Sequence, residues 1–171
     1  MRVLGVDPGL QCVGYGVIEF NKHHSCISVR GRDGRLKLIE AGVIRTSTKD
    51  KFTNRLNKIY NGLIQVLEVC RPDIMVIEEL YSHYKNPKTA ILMAHARGVI
   101  CLVGAQHKLT VAGYAPKKVK KAVTGAGTAT KSQMQEVVKE TLGLKTLPQP
   151  HDVADALALA LTHINFIYRK I

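Results

Sequence analysis

Val3-Leu-Gly-Val-Asp-Pro-Gly9 is a run of four apolar residues that ends in an acid and a turn-forming pair. Such a short run predicts a strand in the centre of a sheet, where both faces are covered. In open α/β sheets, sites form at the carboxyl ends of the strands, and Asp7 stands at such an end. Asp-Pro-Gly is also an ordinary turn, so a purely structural role for Asp7 stays open here.

The residues that follow predict two more strands and then a helix. The strands are expected at residues 14–20 and about 36–45, and the polar, basic segment 21–37 predicts an extended hairpin that turns near Asp33-Gly34. The helix ends before Pro72. Its buried face is indicated by apolar residues at helical spacing: Leu56, Ile59, Tyr60, Leu63, Ile64 and Leu67.

In the second half of the chain, strand and helix patterns alternate. Strands are predicted at 74–77, before Glu78, and at 109–114. Helices are predicted from Pro87 to about Gln106, from Pro116, from the capping-box pair Thr130 and Gln133 to Gly143, and from His151 or Asp152. A meander followed by alternating elements predicts one α/β domain over residues 1–171, with a mixed five-stranded sheet flanked by helices.

The composition favours a folded protein that binds polyanions. With 46% hydrophobic residues, 5% aromatics and no Trp, the 171-residue chain suits an aliphatic α/β core. Its 25 Lys and Arg against 13 Asp and Glu give a net charge of +12. A positive charge of this size favours nucleic acid as the partner. The alternatives are that the chain is merely a soluble basic protein, or that it is held on an anionic membrane surface.

Several other classes are disfavoured by what the sequence lacks. No run of 18 or more apolar residues occurs, so we expect no membrane-spanning helix and no membrane partner. Asp7 interrupts the N-terminal apolar run too early for a signal peptide, which predicts a cytoplasmic protein. Cys12, Cys26, Cys70 and Cys101 lack paired spacing, so we expect buried free thiols rather than a zinc site or a disulfide framework.

Four carboxylates stand where a sheet edge can gather them: Asp7, Glu78, Asp152 and Asp155. Glu78 follows a predicted strand, and Asp152 and Asp155 lie three residues apart on one helix face. Purely structural roles stay open for two of them, because Glu78 can be a solvated residue at the end of a strand and Asp152 can cap a helix. Asp155 is harder to explain this way, since it is embedded in an apolar helix where an unpaired carboxylate is costly.

Taken together, the four carboxylates predict a metal site. Oxygen-only ligands suit Mg²⁺, with Mn²⁺ as a substitute, and one or two such ions promote in-line hydrolysis of a phosphodiester. The ions also let an acidic site approach DNA. No organic cofactor is indicated.

At this point the motifs resemble one family, the RuvC Holliday-junction resolvases, which are crossover junction endodeoxyribonucleases. The resemblance covers nearly the whole chain in the family's order. It is carried by Gly5-Val-Asp-Pro-Gly-Leu10, Gly14-Tyr-Gly16, Val76-Ile-Glu-Glu79, Ala94-His-Ala-Arg-Gly98, Tyr114-Ala-Pro-Lys-Lys-Val-Lys-Lys121, Gly125-Ala-Gly127, Lys131-Ser-Gln133 and His151-Asp-Val-Ala-Asp-Ala-Leu-Ala158. It implies an RNase H-like fold and paired, symmetric cleavage of four-way DNA junctions in recombination and repair.

The resemblance also implies roles for individual residues. The metal ligands match Asp7, Glu78, Asp152 and Asp155, and two catalytic lysines near the scissile phosphate match Lys120 and Lys131. A base-stacking aromatic matches Tyr81, with Tyr84 as a competitor because the 79–86 loop differs in length from the family's pattern. The expected DNA-binding residues are Tyr81, Tyr84, Lys85, Lys117, Lys118, Lys120, Lys121 and Lys131.

A two-fold symmetric junction needs two nicks, so we expect a homodimer. The candidate contact is the helix from about Pro87 to Gln106, through Ile91, Ala94, Val99 and Leu102, unless that face is buried against its own sheet. A branch-migration complex of the RuvA and RuvB type is an implied partner.

Three rival functions are weighed against this one. An actin-like or sugar-kinase-like ATPase shares the strand–Asp–Gly opening, but it needs two domains around its nucleotide. A related RNase H-like nuclease could act on structured RNA or as a monomer. A non-catalytic junction-binding module would bind DNA without Mg²⁺ and never cut.

Overall fold

The computed structural model describes residues 1–21, 36–80 and 87–168, and places five strands and five helices among them. Strands β1 (Arg2–Asp7), β2 (Cys12–Phe20) and β3 (Leu36–Arg45) form an antiparallel meander. β4 (Ile74–Glu78) and β5 (Thr110–Tyr114) continue the sheet in parallel beyond β1. The order β3-β2-β1-β4-β5 confirms the predicted mixed five-stranded sheet. Most of the predicted hairpin at 21–37 lies outside the described residues.

The helices follow the sequence signals closely. They are α1 (Phe52–Cys70), α2 (Pro87–Gln106), α3 (Pro116–Thr124), α4 (Lys131–Leu142) and α5 (His151–Tyr168). The capping box of Thr130 and Gln133 is present at the start of α4, and Gly143 ends that helix in the left-handed conformation. Four strands differ from the prediction in their bounds: β1 is longer by one residue at each end, and β4 extends by one residue to Glu78. β2 begins at Cys12 because Cys12 pairs with Arg45, and β5 begins at Thr110, one residue later than expected.

Helices cover the sheet on both faces. α1 and α2 pack on one face in a core that includes Leu4, Val6 and Ile59, and α5 packs on the other against Val3 and Val76. Side chains of a strand alternate between faces, so Asp7, which shares the parity of Val3, faces the α5 layer. This alternation places the side chain of Asp7 between the sheet and α5.

Helix α2 is buried on one side only. Ile100 and Val103 are fully buried, whereas Ile91 is 58% exposed and Leu102 is 51% exposed. The alternative in which the whole apolar face is buried against its own sheet is therefore wrong for Ile91 and Leu102. Val99 differs from them, since it packs partly buried against the core of the α1 side.

Helix α2 also bears on the expectation that the chain has no membrane-spanning helix. Among the described residues, α2 is the one helix long and apolar enough, by length and composition only, to cross a membrane, with 22% of its apolar window buried. Its sequence did not predict a membrane span, because Lys88, His95 and Arg97 interrupt the apolar run. Core helices of soluble proteins pass the same test, so the finding is weak support for a membrane span.

The cysteines are free where they are described, but only one is buried. Cys70 is buried, whereas Cys12 and Cys101 are partly exposed, which corrects the expectation of buried thiols. Cys26 lies outside the described residues. Cys12 is partly exposed because it stands at the start of β2, at the same sheet edge as Asp7.

Candidate active site

Asp7 and Glu78 meet at the carboxyl edge of the sheet because β1 and β4 are parallel neighbours. Val6 pairs in register with Ile77, so the next residue of each strand is the acid. The side chains of Asp7 and Glu78 hydrogen bond to each other. Two carboxyl groups can bond in this way only when one of them carries a proton.

Helix α5 brings its two acids to the same edge through close contact with glycines of the sheet. A Cβ atom at Gly5 would overlap the carbonyl oxygen of Ala156, and one at Gly14 would overlap that of Asp152. The absence of side chains at Gly5 and Gly14 therefore lets the first turns of α5 lie directly on the strands. This approach places Asp155 beside Asp7 and Glu78.

The electrostatics of the carboxylates reflect their burial and crowding. Burial, followed by the charges of Glu78, Asp155 and Asp152, raises the pKa of Asp7 to about 8. Burial is also the largest cause that raises the pKa of Glu78 and the pKa of Asp155. A site that holds protons this strongly is short of positive charge, and a bound cation would supply it.

The two predicted catalytic lysines lie in the same cavity as the acids. The cavity has a volume of about 280 Å³, and Asp7, Glu78, Asp155, Lys120 and Lys131 line it together. Lys131 and Lys120 lower the pKa of Glu78 and the pKa of Asp155, against the effect of burial. Lys120 comes from α3 and Lys131 from the start of α4, so three helices and two strands build this site.

Asp152 stands slightly apart from the others. It acts on the pKa of Asp7 and the pKa of Asp155, but it does not line the cavity. Its carboxylate instead has the Cys12 thiol as a hydrogen-bond partner.

The donor set fits a hard divalent cation, although the acids are not yet arranged as its ligands. Carboxylate oxygens are what Mg²⁺ prefers, and the pKa values of these acids are raised by burial first and by neighbouring acids second. Within residues 1–21, 36–80 and 87–168, no group of three or more His, Cys, Asp and Glu already has the spacing of a metal site.

A family model described as "Crossover junction endodeoxyribonuclease RuvC" matches residues 3–163. The chain belongs to the RuvC family. Proteins of the same description are 48% identical in Rhodopirellula baltica (93% of this chain and 83% of that protein) and 40% identical in Fusobacterium nucleatum (100% and 84%). The structure of Thermus thermophilus RuvC in complex with a Holliday junction substrate has a TM-score of 0.85 at 30% identity, and the match covers 99% of this chain and 96% of that one. The RNase H-like fold is thereby confirmed.

The other predicted DNA contacts of this RuvC family member fall into two groups. Tyr81, Tyr84 and Lys85 lie outside the described residues. Lys117, Lys118 and Lys121 are exposed on α3, but they are not equivalent. The ammonium of Lys118 lies 5.1 Å from the centroid of the Tyr114 ring and 4.6 Å from that of Phe166, which ties it to the protein surface.

Two contacts near the acids were missed by the sequence analysis. Arg97 donates from Nε to the carbonyl oxygen of Glu78 at 3.2 Å, and Cys12 approaches Asp152. Arg97 lies within a motif that resembles the family, but periodicity alone gives it no partner. Cys12 shares its strand parity with Gly14 and Gly16, and this spacing could have placed it under α5.

Proposed function

We propose that the chain is a metal-dependent, structure-selective endonuclease that resolves four-way DNA junctions by paired phosphodiester hydrolysis in recombination and repair. The observation that carries the proposal is the cavity in which Asp7, Glu78 and Asp155 meet Lys120 and Lys131, on a chain with a net charge of +12. A relative with 30% identity forms a complex with a Holliday junction substrate, which supports the choice of DNA.

The metal proposed is Mg²⁺, with Mn²⁺ as a substitute and one or two ions per subunit. Asp7, Glu78 and Asp155 would hold it from the cavity, with Asp152 as a further ligand from the first turn of α5. When bound, the cation supplies an activated water and stabilises the leaving oxygen. Loading requires the proton shared by Asp7 and Glu78 to leave, so the raised pKa of Asp7 opposes binding at low pH.

The lysines are proposed to act on the phosphate in two ways. Lys120 and Lys131 neutralise charge at the reacting phosphate, so alanine there is expected to reduce turnover more than affinity. Lys117 and Lys121 position the backbone of the DNA, so alanine there is expected to reduce mainly affinity and its salt dependence. Equal losses of affinity at all four positions, with no extra loss of rate, would contradict this division.

The loop after β4 is proposed to supply a base-stacking aromatic. Tyr81, or failing that Tyr84, stacks on a splayed base near the junction centre, together with the charge of Lys85. Stacking on a base is worth about 1–3 kcal/mol. If neither Tyr81→Ala nor Tyr84→Ala slows cleavage, this part of the proposal is wrong.

A homodimer is proposed because one carboxylate cluster makes one nick and a junction needs two matched nicks. The contact surface is the outer face of α2, where Ile91, Ala94, Gly98 and Leu102 are all exposed at helical spacing. A Cβ atom added at Gly98 would meet nothing within 4 Å, so a second backbone has room to approach there. Two copies related by a two-fold axis match the symmetry of the junction.

The setting proposed for this activity follows from its substrate. The protein acts in the cytoplasm, on the nucleoid when bound to DNA, and works beside a branch-migration complex of the RuvA and RuvB type. This assignment rests on the family to which the chain belongs.

The proposal is tested with a labelled synthetic four-way junction incubated with Mg²⁺ or with EDTA. We expect symmetric nicks with Mg²⁺ and none with EDTA, while a linear duplex and a structured RNA stay intact. Preferred cleavage of the RNA would favour the RNA nuclease, and junction binding without cleavage in Mg²⁺ or Mn²⁺ would favour a non-catalytic binding module.

A further inference from the structure

A large groove lies away from the acidic cavity, between strand β3 and helix α1. Its volume is about 970 Å³. Its floor includes Tyr15 and Ile44, which face the α1 layer, whereas Asp7 faces the α5 layer. The groove is therefore on the opposite face of the sheet from the proposed catalytic groups, and junction cleavage does not explain it.

One wall of the groove is a stripe of side-chain amides on α1. Asn54, Asn57, Asn61 and Gln65 line it, at a spacing that puts them on one helix face, and all four are exposed. From Asn54 to Gln65 the stripe is about 16 Å long, at about 1.5 Å per residue. An amide side chain both donates and accepts hydrogen bonds, as a peptide backbone does, so this wall is complementary to an extended chain.

The other wall is the strand β3, which stands at the edge of the sheet. From Glu40 to Arg45 it runs for about 17 Å, which matches the length of the amide stripe. β2 pairs with one side of β3, and no strand in the described parts of the chain pairs with its other side. The backbone N–H and C=O groups along such an edge are a template for one more strand.

The charged side chains of the groove indicate which kind of extended chain it would bind. Glu40 is already engaged, since its Oε1 accepts from the Tyr15 hydroxyl at 3.1 Å and its Oε2 from the Cys70 thiol at 3.5 Å. Arg45 and Lys58 also line the groove, both are exposed, and neither has an ion pair among the described residues. Glu40 keeps its charge because both of its donors are neutral, so two positive charges against one negative charge leave the groove positive overall.

We propose that this groove is a docking site for an extended, acidic segment of a partner protein, which adds a strand to β3 and hydrogen bonds to the amides of α1. A nucleic-acid strand fits less well, because binding of single strands relies on aromatic platforms. Tyr15 is the sole aromatic among the described residues that line the groove, and its ring lies against Gly42 with its hydroxyl bonded to Glu40.

The proposal is tested by panning a displayed library of random peptides against the full chain. Peptides of about eight residues span the groove at about 3.3 Å per residue. We expect enriched peptides to be acidic and to lose at least about tenfold in affinity for the double variant Lys58→Glu/Asn61→Glu. The matched control Lys145→Glu, which changes an exposed charge outside the groove, should bind them as the wild type does.

Two further measurements, of hydrogen exchange and of junction cleavage, also test the proposal. Hydrogen exchange of the amides in 40–45 should slow when the peptide binds. The double variant should cleave a junction within about twofold of the wild type, since α1, which carries Lys58 and Asn61, packs on the face of the sheet opposite to α5. Failure to enrich acidic peptides, equal affinity for the double variant, or unchanged exchange in β3 would overturn the proposal. The proposal would also be overturned, in favour of a nucleic-acid groove, if a single-stranded oligonucleotide displaced the peptide from the wild type but not from the double variant.

Discussion

Asp7 is the residue whose chemistry depends most on its surroundings. On the surface its carboxyl group would be ionised at neutral pH, but burial and three neighbouring acids raise its pKa to about 8. In the metal-free protein it therefore holds a proton that the unfolded chain releases near its ordinary pKa of 3.8. The folded state thus stores an electrostatic cost that a bound cation removes.

This cost predicts how the stability of the metal-free protein depends on pH. Between the unfolded and folded pKa values of Asp7 the folded state binds more protons, so its stability falls as pH rises toward 8. From pH 5.5 to pH 8 we expect the wild type to lose about 3 kcal/mol more than Asp7→Asn, or roughly 9 °C in melting temperature. Thermal melts in EDTA at the two pH values measure this difference.

Magnesium provides the control for this prediction. At pH 8, Mg²⁺ should raise the melting temperature of the wild type and have little effect on Asp7→Asn, because the variant lacks the charge that holds the ion. Parallel pH profiles for wild type and variant would show that Asp7 does not carry the proton.

Lys118 is expected to behave differently from its neighbours on α3, although the sequence presents them as one basic run. Its ammonium lies over two aromatic rings, a contact worth about 0.5–1 kcal/mol at an exposed site. Lys118→Ala should therefore lower the melting temperature and change the salt dependence of junction binding less than Lys121→Ala does. Equal salt slopes for the two variants, with unchanged melting temperatures, would assign Lys118 to the DNA instead.

At the scale of helices and strands, the sequence predicted most of the fold. Apolar spacing and stop signals placed α1, and the pair Thr130 and Gln133 placed α4, because both signals are local. Periodicity could not tell which side of α2 is covered, since Ile91 and Ile100 are equally apolar. The layer that covers a face depends on distant elements, and local pattern carries no information about it.

The candidate site was predictable to a similar degree. Asp7 and Glu78 could be paired in advance because parallel neighbouring strands end at the same edge. The contact of Arg97 with Glu78 could not, since no local signal gives Arg97 a partner, whereas the strand parity of Cys12 could have placed it under α5, near Asp152. The groove between β3 and α1 could not be predicted either, because neither element alone has a concave surface.

The outer face of α2 leads to a prediction about assembly. Leu102 is 51% exposed there, so Leu102→Asp should place a charge in the proposed dimer contact and yield a monomer. Val69→Asp is the matched control, because Val69 is 71% exposed on α1 and lies off this face. Light scattering at micromolar concentration should give about twice 18.8 kDa for the wild type and the control, and about 18.8 kDa for Leu102→Asp. A wild-type monomer with full resolving activity would refute the dimer.

At the scale of the whole molecule, opposite charges are separated in a way that suits DNA cleavage. The chain carries a net charge of +12, yet three of its 13 acidic residues meet in one small cavity at the sheet edge. The positive surface attracts the phosphate backbone over a distance of about 10 Å, and the cavity accepts the scissile phosphate when a cation neutralises it. Binding and cleavage therefore rest on different residues and should be separable.

The most direct test of this account measures junction binding and junction cleavage by Asp7→Asn, with Asp50→Asn as the control on an exposed acid outside the cavity. An amide keeps the shape of the carboxylate but not the charge that holds Mg²⁺. We expect Asp7→Asn to bind a labelled four-way junction within about threefold of the wild type and to cut it at least about 100-fold more slowly. Asp50→Asn should cut normally. Cleavage by Asp7→Asn at the wild-type rate would contradict the account.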